Sequence, residues 1–305
     1  MLSTKTVFIW TEAFNCVEIL PPFLESFRAH HDLPIHVFTS KKEEEKVPRI
    51  KSVTVSDVSK NWISKLYLTS PKAISRGYKK GHLGTARIWS NIIRSRREDI
   101  LIHLDADTVF LGECLSELIE NVSAGYDVVG TRRPYFNRGY RKDGRDGRRL
   151  DKHPDVLNTD IIAFRRSAIP RRLSPLLTRR IRGKRPLRYP VIDYFDPIIF
   201  EMIRTGKKIG YLDSLDSGDR GFANPNSRIF QSRISFAAVG SGLNFHKNPH
   251  VETSPGYRAY ALASYSLYAK YLLGIDTGIK TLENPDIENK LKKLDKSSWT
   301  LRSAK

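Results

Sequence analysis

This 305-residue sequence has little cysteine, a shortfall of acidic against basic residues and no long apolar run. Its two cysteines, Cys16 and Cys114, are too few for a disulfide framework or a cysteine-built zinc cluster. That scarcity suits a reducing compartment. No segment approaches the ~18 consecutive apolar residues of a membrane span. The apolar run in "MLSTKTVFIWTEAF" is also too short for the core of a secretory signal. The expectation is a cytoplasmic protein. No internal repeat is present, which excludes a solenoid or propeller. The 33 Asp and Glu are outnumbered by 52 Lys and Arg, for a net charge of +19. A balance so basic predicts attraction to polyanions or to anionic surfaces, including peripheral contact with a membrane.

The excess is local. Residues 132–188 hold nineteen Lys or Arg against five Asp or Glu, so this stretch supplies +14 of the +19. Its first part, "RRPYFNRGYRKDGRDGRRLDKHP", has no apolar period and reads as a long loop, a kind of segment that is commonly functional in compact domains. A hydrophobic fraction of 40% and a full set of aromatics describe a globular chain. The length allows one large α/β domain, or one domain with an appendage.

Short β-branched and aromatic runs alternate with helical periods. "TVFIW" (6–10), "PIHVFT" (34–39) and "SVTVS" (52–56) predict strands. Residues 16–30 predict a helix that Pro21 and Pro22 restart or kink. Residues 81–97 place Leu83, Ala86, Trp89, Ile92 and Ile93 on one helical face. "DILIHL" (99–104) is a strand, "ECLSELIENV" a helix, "YDVVGT" (126–131) a strand and "DVLNTDIIAFRR" (155–166) another. "DPIIFEMIRTG" (196–206) is a helix with Pro197 early and Gly206 at its end. Short strand-like pieces follow, and a helical tail runs from about 256 to 305. Such alternation predicts an α/β fold with a mostly parallel mixed sheet flanked by helices. The domain expectation is 1–255 for the sheet domain and 256–305 for a helical C-terminal extension.

The strand "LIHL" ends in Asp105-Ala106-Asp107, and two carboxylates at the end of a buried strand demand a positive partner or a chemical task. In an open α/β sheet ligands bind at the carboxyl ends of strands. Two chemistries match the pair. Hard carboxylate oxygens hold Mn²⁺ or Mg²⁺ against a nucleotide diphosphate. Alternatively the first aspartate is a phosphoryl-accepting nucleophile and the second a general acid, and "HLDADTVF" is similar to the first motif of haloacid-dehalogenase-type phosphatases. That family keeps its nucleophile near the start of its core domain and adds a downstream acidic motif. Here about 100 residues of α/β pattern come first, and "SGDRGFANPN" offers a lone Asp219.

Motif order and spacing over about residues 5–250 resemble the glycosyltransferases of the GT-A, Rossmann-like fold, most nearly the family 8-like nucleotide-sugar transferases, with Asp105-x-Asp107 as the metal motif. The resemblance implies that Thr11 and Glu12, at the end of the first strand, hold the nucleoside. It implies that Arg87, eighteen positions before the pair, contacts the donor phosphate or sugar. The turn near donor sugar and acceptor maps onto "LNTD", with Asn158 and Asp160, where the family has Asn-Ser-Gly. A later acidic residue near the reacting centre maps onto Asp193 of "VIDYFDP", with Asp196 the alternative as a helix cap. "NFHKNPH" supplies His246 as third metal ligand beside Asp105 and Asp107, and Lys247 for the diphosphate, with His250 as fallback.

The implied cofactors are Mn²⁺ or Mg²⁺ and a nucleotide-sugar, a UDP-sugar by preference. The implied partner is a glycan, glycolipid or protein acceptor, anionic ones included. A basic nucleic-acid-binding protein is the rival class. The region 132–188 lacks a recognisable module, and its aromatics before Tyr189 are only Tyr135, Phe136, Tyr140 and Phe164. Within the tail, "YRAYALASYSLYAKYLLG" has the spacing of an amphipathic helix that packs on a core.

Overall fold

A computed structural model describes residues 6–13, 17–57, 91–110, 112–133, 156–169, 205–212, 228–231, 235–238 and 274–278, with single positions at 89, 199, 202, 266, 270 and 289. Ten strands fall within these residues. They are β1 (Val7–Glu12), β2 (Ile35–Thr39), β3 (Val53–Asp57), β4 (Ile100–Leu104), β5 (Thr108–Phe110), β6 (Val128–Arg133), β7 (Val156–Arg165), β8 (Ile209–Leu212), β9 (Arg228–Gln231) and β10 (Ser235–Ala238). The helices are α1 (Leu20–His30), α2 (Lys41–Glu44) and α3 (Leu115–Ser123).

Seven strands form one sheet in the order β3-β2-β1-β4-β7-β6-β8. β3, β2, β1 and β4 run parallel, β7 is antiparallel to both β4 and β6, and β8 is parallel to β6. This is the α/β, mostly parallel mixed sheet expected of the GT-A, Rossmann-like class. A second, antiparallel sheet has the order β5-β10-β9. The reversal of β7 does not show in its apolar part, Ile161–Phe164, because a segment buried on both faces carries the same pattern in either direction.

Side-chain alternation along the strands splits the core in two. Ile9 of β1 and Ile100, Ile102 and Leu104 of β4 join α1, Phe110 and α3 on one side of the sheet. Phe8 and Trp10 of β1 and Leu101 of β4 join Trp89, Ile92, Ile93, Ile162 and Phe164 on the other. Trp89, Ile92 and Ile93 of the expected 81–97 helix are thus buried as its periodicity predicts, and residues 91–95 are helical; residues 81–88, Leu83 and Ala86 included, lie outside the described residues. Helix α1 begins immediately before Pro21 and Pro22, which sit in its first turn where no intrahelical N–H is needed. It buries Leu20, Phe23, Leu24 and Phe27 at three- and four-residue spacing. Among the described residues no helix is long and apolar enough to cross a membrane. Most of the tail from 256 to 305 and most of the basic stretch lie outside the described residues, as does the expected domain boundary at 255 and 256.

Candidate functional site

β4 is buried along its whole length, and the chain leaves the sheet at its carboxyl end into Asp105. A turn follows in which Thr108 N–H donates to the Asp105 carbonyl at 3.0 Å, and β5 starts at once. The far side of the turn is pinned to α1. Phe110 N–H donates to Ser26 Oγ at 3.1 Å, and that hydroxyl donates to the Phe23 carbonyl at 3.0 Å. The two aspartates are therefore held on a short, doubly anchored connection rather than a free loop. Their exposures differ: the Asp105 side chain is 24% exposed, whereas Asp107 is buried at 6%.

The neighbouring strands bring further residues to the same end of the sheet. β1 pairs with β4 so that Trp10 lies opposite His103, and two more residues in that register set Glu12 level with Asp105. The end of β1 is fixed by Ala13 N–H donating to Phe38 O at 3.0 Å and by the Thr39 hydroxyl donating to Ala13 O at 2.6 Å. On the other flank, β7 pairs with β4 so that Ile161 lies opposite Leu104, which sets the backbone of Asp160 level with Asp105 and Asn158 just beyond. Thr11, Glu12, Asp105, Asp107 and the backbone positions of Asn158 and Asp160 thus share one end of three adjacent strands. Arg87, Asp193, His246 and Lys247 lie outside the described residues, as do Asp196 and His250.

Thr11 and Glu12 face opposite sides of the sheet. Thr11 is fully buried, and its hydroxyl has no hydrogen-bond partner among the described residues. Glu12 lies on the tryptophan side. Its Oε1 accepts from the Trp10 indole N–H at 2.9 Å, and its Oε2 lies 2.6 Å from His103 Nε2. His103 is completely buried, with its ring 4.2 Å from that of Trp89 and 5.3 Å from that of Trp10, centroid to centroid. The same Nε2 is 3.7 Å from Asp105 Oδ1. Neither His103 nor the two tryptophans around it was among the residues expected at the site. The available signal was the polar residue inside "LIHL": a histidine in a strand buried on both faces needs a buried partner.

Asp105 and Asp107 supply hard oxygen donors of the kind that Mn²⁺ and Mg²⁺ take, and the partial exposure of Asp105 gives a cation a way in. Among the described residues no three His, Cys, Asp or Glu side chains converge as a metal cage. Two carboxylates at this position suit an ion that takes its remaining ligands from a phosphate and water, as Mg²⁺ commonly does. The residues present therefore fit the implied metal.

No family model matches the chain, and no curated protein matches it. Among solved structures it is similar to mouse xyloside xylosyltransferase 1 in its apo form, with 10% sequence identity, 68% of this chain and 85% of that one covered, and a TM-score of 0.44. Likeness at that level carries nothing about activity.

Proposed function

We propose that this chain is a metal-dependent glycosyltransferase that moves a sugar from a nucleotide-sugar, a UDP-sugar by preference, to a hydroxyl of a glycan, lipid or protein acceptor. The observation that carries this reading is the seat of Asp105-Ala106-Asp107 at the carboxyl end of β4, inside a mostly parallel sheet, with β1 and β7 ending or beginning alongside. Ligands of open α/β sheets bind at such strand ends.

Asp105 and Asp107 hold the divalent ion in this reading, with His246 as the third protein ligand. When bound, the ion supplies Lewis-acid neutralisation of the charge that develops on a departing diphosphate. Arg87 and Lys247 add positive charge to the phosphates, the main electrostatic demand of the transfer. Thr11 lies against the nucleoside, and Asn158 and Asp160 stand near the donor sugar and the acceptor. Asp193 takes the proton of the acceptor hydroxyl if the configuration is inverted. The positive excess between residues 132 and 188 favours acceptors that are themselves anionic.

Calorimetric titration of UDP, GDP and their common sugars, with Mn²⁺ and with EDTA, tests the reading. Manganese-dependent binding of one nucleotide is expected, and Asp107→Ala should weaken it at least ~100-fold while the protein stays folded. Folded wild-type protein that binds no nucleotide under any of these conditions would refute the transferase assignment. Turnover of a phosphorylated substrate would then favour the phosphatase chemistry.

A further inference from the structure

We propose that Glu12 and His103 form a buried positioning pair that orients Asp105 for its metal, a role that rests on the transferase reading and assigns Glu12 to work through His103 instead of touching the nucleoside. Three observations carry it. Both Glu12 carboxylate oxygens are engaged within the fold, one by the Trp10 indole and one by His103. His103 has no exposed surface, so it cannot itself meet a substrate. Two carboxylate oxygens, from Glu12 at 2.6 Å and from Asp105 at 3.7 Å, face the same ring nitrogen.

The geometry dictates the tautomer. Ionised carboxylates only accept hydrogen bonds, so a nitrogen facing two of them carries the proton. Glu12 takes that proton in a short, charge-assisted bond. Asp105, at 3.7 Å, is within ion-pair reach and beyond hydrogen-bond length, so its Oδ1 is attracted without being consumed. One oxygen edge of Asp105 is therefore biased toward the buried ring. Carboxylates that bind metals are commonly held by partners of this sort, whose loss lowers metal affinity. The rings of Trp10 and Trp89 pack at a tilt against the imidazole and fix it in turn.

Glu12→Gln tests the pair with almost no change of shape. An amide has one accepting and one donating end, whereas Trp10 and His103 both present N–H. With its nitrogen toward Trp10 the amide sets donor against donor, and with its nitrogen toward His103 it does so unless His103 changes tautomer and no longer presents its proton to Asp105. His103→Gln is the rescue variant, because its amide nitrogen can stand where Nε2 stood and donate; His103→Leu removes the donor.

The measurement is the free-Mn²⁺ electron paramagnetic resonance signal during titration with protein in the presence of UDP, alongside thermal melts. The expected result is Mn²⁺ affinity weakened about ten- to hundredfold in Glu12→Gln and His103→Leu, and restored to within about threefold of wild type in His103→Gln. If His103→Leu does not fold, Glu12→Gln against His103→Gln decides. Wild-type affinity in folded Glu12→Gln, or no rescue by His103→Gln, overturns the positioning pair and leaves the transferase reading standing. Wild-type protein that takes up no Mn²⁺ with UDP overturns both.

Discussion

Two buried histidines meet a glutamate in this protein, one on each side of the main sheet, and the surroundings of the two pairs diverge. His103 and Glu12 lie on the tryptophan side, 2.6 Å apart, with side-chain exposures of 0% and 6%. His31, which follows α1, lies on the phenylalanine side against Phe27 and Phe110, and its Nδ1 is 3.3 Å from Glu113 Oε1. Glu113 is 35% exposed, so water solvates part of its charge. Beyond the ring the contrast sharpens. His103 leads to Asp105, a partly exposed carboxylate at the strand end. The Nε2 of His31 leads to the Cys114 thiol at 3.7 Å. Burial pushes that thiol well above its ordinary pKa, and Glu113 and Glu117 push it the same way. A cysteine, a histidine and a carboxylate in a row look like a nucleophilic triad, but a fully buried thiol held in its protonated form is inert. The two histidines therefore differ in what they adjoin beyond the glutamate: a partly exposed carboxylate on one side of the sheet, a buried and protonated thiol on the other.

The comparison is broken most forcefully by removing each histidine. His103→Leu strands the Glu12 carboxylate in a dry environment, and breaking a buried pair in this way costs ~3–5 kcal/mol. Urea unfolding monitored by tryptophan fluorescence measures it. His31→Leu should cost much less, about 1 kcal/mol, because Glu113 can turn to water and leucine suits a pocket walled by Phe27 and Phe110. Equal losses in the two variants would mean that Glu12 finds compensation beyond His103 and that the two sides are energetically alike.

The elements around the two pairs could be read in the sequence, whereas the pairs themselves could not, and the reason is physical. The strand at 99–104, the helix after Cys114 and the apolar faces of Trp89, Ile92 and Ile93 all follow from short-range periodicity, which is local and therefore visible. Asp105 and Asp107 stood out because charge at the end of an apolar strand is costly without a reason. The Glu12–His103 contact spans 91 positions and depends on β1 lying beside β4 in one register. No local pattern encodes a pairing over that distance. The extension of the first strand through Thr11 and Glu12, past the expected end at Trp10, follows from the pairing of β1 with β2, which sets Thr11 and Glu12 opposite Val37 and Phe38 and supplies the hydrogen bonds that a polar strand end needs. The antiparallel course of β7 was hidden for a related reason, since Ile161–Phe164, the apolar part that pairs with β4, reads the same either way.

The smallest expected effect concerns Glu113, and pH exposes it. Burial alone would raise its pKa, but hydrogen bonding to His31 and the Ser116 N–H, which donates at 2.9 Å, outweighs burial and holds the carboxyl below its ordinary value of 4.5. A carboxyl with a depressed pKa in the folded state adds stability above the unfolded-state pKa, and that stability is lost as pH falls through the folded-state value. Glu113→Gln should therefore melt below wild type at neutral pH, by an amount that corresponds to less than ~1 kcal/mol given the exposure of the group. The gap should close as the pH is lowered beneath the carboxylate range, because protonated Glu113 and the amide then offer His31 much the same partner. Thermal melts of both proteins across that range check the sign. A gap that persists in acid would assign the loss to packing around His31 and remove charge from the account of that side of the sheet.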